Sequence, residues 1–359
     1  MSSSPWNNLR VLVTGHTGFK GGWLTLKLAS LGASVCGYSL SPVIEPNLFV
    51  AARIADICRS EIGDVRDPVR FGAVVADFKP ELVFHMAAQA LVRVSYHDPI
   101  DTYSTNVMGL VTVLEVLRHS SSVQHVINVT SDKCYENNGW LWGYRESDPM
   151  GGFDPYSSSK GCAELITSSW RRSFFSKAGI SLSSVRAGNV IGGGDWSLDR
   201  LIPDFVRSID AGRELTIRSP RSTRPWQHVL EPLSGYLLLA ERLMTGGPHF
   251  ADGWNFGPDV NSVRDVEAIA SLMCRLWGEP AKMRVIEDNS LHEASNLVLD
   301  SSKAVFGLGW KPVWGVDTAI ERVVSWHKRY LSGANAYSLC IGDIEAHEND
   351  LSAARGLLI

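Results

Sequence analysis

Cysteine is sparse in this sequence and shows no pairing pattern. The six residues, Cys36, Cys58, Cys134, Cys162, Cys274 and Cys340, are scattered, and no CxxC occurs. That excludes a zinc knuckle and a disulfide framework, so no metal is expected, and the thiols read as reduced packing residues of a cytoplasmic protein. No apolar run approaches the ~20 residues that span a bilayer. The segment MSSSPWNNLR lacks the apolar stretch of a signal peptide, so no membrane partner is expected. Basic blocks are missing too. Charges of both signs are interspersed and the net charge is −4, which argues against a nucleic-acid partner. There is no internal repeat and no low-complexity segment.

What is present is a chain of 359 residues, 45% hydrophobic, long enough for a large core. Short apolar runs alternate with helical patterns in its first half. LRVLVT (9–14), ASVCGYSL (33–40), LVFHMAA (82–88), HVINVTS (125–131) and ISLSSVRAGNV (180–190) read as strands. Lys20 to Leu31, Thr105 to His119 and Tyr156 to Ser176 read as helices. Such alternation predicts an α/β fold, a doubly wound parallel sheet covered on both faces. Ligands of such sheets bind at the carboxyl ends of the strands. After about residue 190 the chain becomes loop-rich, with a helix from Pro232 to Leu243 and a strand in GWNFG (253–257). The reading is a main domain over 1–188 plus about 229–262, and a smaller, interleaved C-terminal substrate domain over about 189–228 plus 263–330. Residues 331–359 show no clear pattern and read as a tail of unclear order.

Gly15, Gly18 and Gly21 fall between the first strand and the first helix. Glycines there allow a tight turn and close backbone approach to a pyrophosphate, while the helix N-terminus supplies free N–H groups. This makes the main domain Rossmann-type, with a dinucleotide site. The acid that commonly follows at the second strand end is missing, since that strand runs Gly37-Tyr38-Ser39-Leu40-Ser41-Pro42. Asp64, in IGDVRD, stands after another strand candidate that follows ASVCGYSL, and is placed to accept from an adenine amino group.

DPYSSSK places Tyr156 and Lys160 on one helix face, with Cβ atoms about 6 Å apart. An adjacent ammonium favours the phenolate, so the tyrosine pKa is expected to fall from ~10 toward neutrality, making a base for an alcohol. Ser131, at a strand end upstream, is ready to bond the same hydroxyl.

TGHTGFKG, GDVRD, HMAAQ, the Thr105-Asn106 pair, Ser131, YSSSK and RAGNVIGGGDW together resemble the extended short-chain dehydrogenase/reductases that act on nucleotide sugars. GHTGFKGGWL, TSDKCYEN, STRPWQHV and LGWKP are most similar to the branch of that family that 4,6-dehydrates CDP-glucose. The resemblance implies NAD as cofactor, held by Gly15, His16, Gly18, Phe19, Lys20, Gly21, Asp64, Val65, Ala87, Ala88, Gln89, Asn106, Tyr156 and Lys160. It implies CDP-glucose as substrate, with Gln89, Asn189, Arg200, Arg224 and His292 on the substrate side. It further implies a hydro-lyase reaction of deoxysugar biosynthesis: oxidation at C4, loss of the C5 proton and the C6 hydroxyl, and return of the hydride to C6. The implied catalytic set is Ser131, Asp132, Lys133, Tyr156 and Lys160, with Asp132 as the acid for the leaving hydroxyl. Related sugar dehydratases carry a glutamate base where this chain has Lys133. Lys133 is therefore expected to act at C5, as base or as enolate stabiliser, the latter leaving Glu136 or Tyr135 as base. One of the loop tryptophans Trp140, Trp142, Trp196 and Trp226 is a candidate to stack on the base.

Asp132 beside Ser131 favours elimination over the epimerase or reductase chemistry of the same family. Ser131, Tyr156 and Lys160 together argue against a non-catalytic nucleotide-sensing scaffold. The resemblance also implies a homodimer or dimer of dimers, packed through the helices at 105–119 and 156–176.

Overall fold

A computed structural model describes residues 4–198, 200–286 and 297–356. Strands β1 (Arg10–Thr14), β2 (Ser34–Ser39), β3 (Arg59–Ile62), β4 (Leu82–His85), β5 (His125–Val129), β6 (Ser181–Ala187) and β7 (Gly253–Phe256) form one sheet. Its order is β7-β6-β5-β4-β1-β2-β3, and every pairing is parallel. Alternation along each strand feeds two cores. Leu12, Val83, Val126 and Leu182 point to one face. There they meet α2 (Pro68–Phe78), α3 (Gly109–Arg118) and α4 (Pro155–Trp170) through Phe71, Leu114 and Ala163. Val11, Val13, Ile127 and Val185 point to the other face, against Trp23 and Leu24 of α1 (Phe19–Ser30). Each such buried aliphatic side chain is worth about 1.5–3 kcal/mol.

Longer helices that follow β6 are α5 (Leu201–Asp210), α6 (Leu230–Gly246), α7 (Val266–Trp277), α8 (Val316–Leu331) and α9 (Ala336–Gly356). After β6 the chain leaves the sheet and builds a second core from α5, α7 and α8, with Phe205, Met273 and Ile320 at its centre. It returns for α6, whose Leu233 and Leu237 pack on the large sheet. The strand order reverses between β1 and β4, and ligands of such sheets bind outside the carboxyl ends at this point.

The structure corrects three boundary expectations. Ala304, Leu308, Trp310 and Trp314, expected in the smaller unit, join the core of the large sheet. Residues 336–356, expected as a tail without clear order, form the 21-residue helix α9. Leu339, Cys340 and Ile344 bury against the same core, and Lys27 of α1 pairs with Glu348. The α9 face was hard to see because it mixes small and charged residues among few apolar anchors. Strand β4 stops at His85, because Met86 and Ala87 turn their N–H groups onto the Thr14 hydroxyl, at 3.0 and 3.1 Å. Among the described residues no helix is long and apolar enough to cross a membrane, and no cluster of His, Cys, Asp or Glu fits a metal ion.

Candidate active site

Gly15, directly after β1, has φ +80, and a Cβ there would lie 2.9 Å from the Ala87 nitrogen. A Cβ on Gly21 would lie 2.1 Å from the Gly15 carbonyl oxygen. Both positions therefore exclude every larger residue. Gly18 caps α1 without a side-chain bond, and no acid stands in the first turn. The helix N-terminus keeps its positive end open, as a pyrophosphate requires.

The His16 ring turns inward from the cradle. Its ring is buried, Nε2 lies 2.8 Å from Ser60 Oγ, and burial lowers its pKa to about 4. Gly37 makes room for that ring. At the end of β2 the Thr17 and Ser39 hydroxyls meet at 2.8 Å, where the familiar acid is missing. Asp64 is also engaged: its carboxylate accepts from Arg66 N, Nε and Nη2 at 2.8, 3.0 and 2.6 Å, which holds its pKa down. Val65 is buried beneath it.

Gln89 and Asn106, expected beside the cofactor, are tied to each other and to their neighbours. Gln89 Nε2 donates to Thr102 Oγ1 at 2.9 Å, and its Oε1 accepts from Leu91 N at 2.6 Å. Asn106 accepts from Gln89 N and donates to Gln89 O and Ser159 Oγ, at 2.8–2.9 Å. The pair fixes the loop after β4, including Ala87 and Ala88, to α4.

After β5 the chain makes a single turn, Asp132–Cys134, capped by Ser131. Ser131 Oγ donates to Asp132 Oδ1 at 2.9 Å, and Lys133 Nζ lies 3.3 Å from the same oxygen. Asp132 is buried while Lys133 is partly exposed. Tyr156, buried, stands in the first turn of α4, which packs against this turn. Contrary to the expected fall, the Tyr156 pKa rises to about 12, because burial outweighs the Ser131 bond and Asp132 adds to the rise. Lys160 Nζ stands 6.0 Å from the Tyr156 ring centre. Burial lowers Lys160 itself to about 8.

Lys20 points into the same cluster from the first turn of α1. Burial lowers it to about 8, opposed by Asp132 and aided by Lys160 and Arg200. Its Nζ donates to Tyr236 Oη at 3.4 Å. Tyr236, on α6, was missed in the sequence: on an apolar helix it reads as core, and only the fold turns its hydroxyl to the cleft. Of the other base candidates, Tyr135 is buried and donates to Asn255 Oδ1 at 2.8 Å, outside the cluster. Glu136 is exposed and turns to Gly152 N, 3.4 Å away.

On the substrate side, Gly188 lies against both Asp132 Oδ2 and Pro225, which brings Asn189 and the strand Thr223–Pro225 to the cluster's rim. Arg224 Nη1 donates to Thr223 O at 2.8 Å. Arg200 caps α5, pairs with Asp195 at 3.1 Å, and its charge reaches Tyr156 and Lys20. His292 lies outside the described residues. Trp196 and Trp226 are core residues, the first packed edge-on to Trp326 and the second donating to Arg264 O at 3.1 Å. Trp140 stacks between Trp142 and Tyr144.

A strand-end Ser-Asp-Lys turn, the Tyr-Lys pair of α4 and the glycine cradle after β1 are the parts from which the site is built. The family model for GDP-mannose 4,6 dehydratase matches residues 12–323. The chain belongs to that dehydratase family. Like it, the chain falls within the extended short-chain dehydrogenase/reductases. A CDP-glucose 4,6-dehydratase of Salmonella typhimurium is 54% identical over 91% of this chain and 93% of its own length. A dTDP-glucose 4,6-dehydratase of Mycolicibacterium smegmatis is 26% identical over 89% and 93%. The fold of this dehydratase-family chain also matches a solved dTDP-glucose 4,6-dehydratase of Streptomyces venezuelae, with TM-score 0.77, 22% identity, and 92% and 100% of the chains covered.

Proposed function

We propose that this chain catalyses the NAD-dependent 4,6-dehydration of CDP-glucose to CDP-4-keto-6-deoxyglucose. The observation that carries the reading is the buried Asp132, placed beside both Ser131 and Lys133 and across from Tyr156. Oxidation alone needs no such acid. Elimination needs one at C6. The nucleobase rests on the 54% identity to the Salmonella relative.

The glycine cradle at Gly15 and Gly21 and the open helix end at Gly18 fit a dinucleotide. Phe19, Lys20 and the loop after β4 would flank it. When bound, NAD supplies a hydride acceptor for C4 and the hydride that finally saturates C6. Tyr156 takes the C4 hydroxyl proton, oriented by Ser131 and Lys160. Asp132 gives a proton to the departing C6 hydroxyl. Lys133 acts at C5, where the ketone has acidified the hydrogen, with its ammonium placed to hold enolate charge. Asn189, Arg200 and Arg224 serve the diphosphate, which guanidinium groups bind in bidentate fashion.

A homo-oligomer is part of the same reading. Met108 (56% exposed), Leu165 (61%) and Phe174 (41%) lie outward on and beside α3 and α4, apolar surface that a second copy would cover. Light scattering that reports a monomer at working concentration refutes that part.

The test of the activity is incubation with CDP-, UDP- and dTDP-glucose, with and without added NAD, followed by mass analysis. Loss of one water from CDP-glucose, with no net reduced cofactor, is expected. A product of unchanged mass with inverted C4 would assign the chain to epimerisation instead.

A further inference from the structure

We infer that Tyr135 is a positioning residue of the elimination step: through Arg186 and Asn255 it fixes the turn that carries Asp132 and Lys133, while Gly161 sets how closely that turn seats on α4. The inference rests on the dehydratase reading above and deepens it, since it assigns oxidation and elimination to separately anchored parts of one site.

The turn is held at both ends. Before it, Thr130 N donates to Val185 O at 2.9 Å, and Thr130 Oγ1 donates to Glu164 Oε1. After it, the Tyr135 hydroxyl donates to Asn255 Oδ1 at 2.8 Å and accepts from Arg186 Nη1. Asn255 is itself pinned, with Nδ2 donating to Tyr144 O at 2.8 Å. Arg186 is buried and pairs with Glu164 of α4 at 2.7 Å. Strands β6 and β7 and helix α4 are thus joined through one phenol. A buried hydroxyl that both donates and accepts has a single orientation, so it holds the chain next to it in place.

The middle of the turn rests on a glycine. Gly151 N donates to Cys134 O at 2.9 Å, and a Cβ on Gly161 would lie 2.6 Å from Gly151 O and 3.2 Å from Cys134 O. Glycine weakens a helix interior relative to alanine. Here it lets the turn and the strand beside it approach the helix backbone directly, one residue from Lys160.

The residues of the C4 step are anchored elsewhere. Tyr156 N donates to Ser95 Oγ at 3.1 Å, Ser157 N to Asp154 Oδ1 at 2.9 Å, and Asn106 Nδ2 to Ser159 Oγ at 2.9 Å. None of these partners holds the turn. Loosening the turn therefore leaves Tyr156 and Lys160 in place and displaces Asp132 and Lys133, which serve C6 and C5. Oxidation at C4 then outruns loss of water, and reduced cofactor accumulates during turnover.

The experiment mixes NAD-loaded enzyme with CDP-glucose. Stopped-flow absorbance reads the first cofactor reduction, and mass analysis of quenched samples reads loss of water. Tyr135→Phe keeps the ring stacked on Tyr144, with ring centres 5.4 Å apart, and removes both hydroxyl bonds. It should reduce its cofactor at the wild-type rate, lose water about tenfold more slowly, and hold most of its cofactor reduced in the steady state. Gly161→Ala reaches the same turn from the helix side, so it tests the idea even where Tyr135→Phe folds poorly. Backbone has to move to admit its methyl, and it should show the same split with water loss slowed about a hundredfold. Ser95→Ala is the converse: it should slow reduction and water loss together, with no accumulation of reduced cofactor. A Tyr135→Phe protein in which both rates fall equally, or neither falls, overturns the positioning role, as does a Gly161→Ala protein that loses water at the wild-type rate. A wild type that neither reduces its cofactor nor releases water with CDP-glucose overturns the dehydratase reading, and the positioning role with it.

Discussion

Helix α4 carries two buried ionisable groups one turn apart, Lys160 and Glu164, and their surroundings differ in kind. The Glu164 carboxylate is saturated: it accepts from Thr130 Oγ1, from Ser184 Oγ at 2.7 Å and from Arg186 Nη2 at 2.7 Å. Arg186 in turn reaches Tyr135, and these partners together hold the Glu164 pKa down despite burial. The cleft group around Lys160 has fewer partners. Burial dominates there, lifting Tyr156 to about 12 and lowering Lys160 and Lys20 to about 8. A buried charge with every lone pair engaged ties elements together. A buried charge left short of partners sits close to changing its protonation state, as acid–base work requires.

The largest effect expected from breaking this contrast is at Tyr156. Tyr156→Phe should lower turnover of CDP-glucose by about 10²–10⁴-fold and leave the thermal midpoint nearly unchanged, since the phenol is paid for by few contacts. Equal losses of activity and stability would erase the distinction. Glu164→Ala should do the opposite. It strands Arg186 in the core and should cost about 3–5 kcal/mol in urea unfolding, with the remaining folded enzyme still releasing water. Next comes Lys133→Met, expected to slow turnover about a hundredfold and to suppress solvent-deuterium uptake at C5. Exchange near the wild-type level would make this lysine a bystander.

The smallest effect lies on α9, where Asp343 is a buried acid with one distant partner and no chemistry to serve. Arg322 is 3.6 Å away, Oδ2 has no partner, and burial raises its pKa to about 7. The folded state therefore binds the proton more tightly than the unfolded chain, and stability falls as pH rises from about 4 to about 7. Asp343→Asn should be neutral below that window and gain about 1 kcal/mol above it. A pH-independent effect on the thermal midpoint would show that under-partnering carries no cost here.

Local pattern was enough to place the sheet. Apolar β-branched runs such as Val11–Val13 and Val126–Val129 bury on both faces whatever follows them, and the glycine spacing sits between β1 and α1 as the turn demands. The Ser131-Asp132-Lys133 turn was legible for the same reason, being contiguous and at a strand end. The side-chain partners of Gln89, Asn106 and His16 were not legible, because a motif gives position along the chain and not the direction of a side chain. Their polar atoms turned inward, toward partners as far off as Ser159 and Ser60.

Most strands of the large sheet and the glycine spacing after β1 were thus determined by sequence alone, because each depends on neighbours within one turn or one strand. Protonation was decided only by the tertiary structure. Lys160 lies four residues from Tyr156 and suggests a lowered phenol, yet desolvation by the packed fold raises it. Tyr236 and Lys20 join the cluster for the same reason: α6 and α1 meet at the cleft only once the chain has folded back on its sheet.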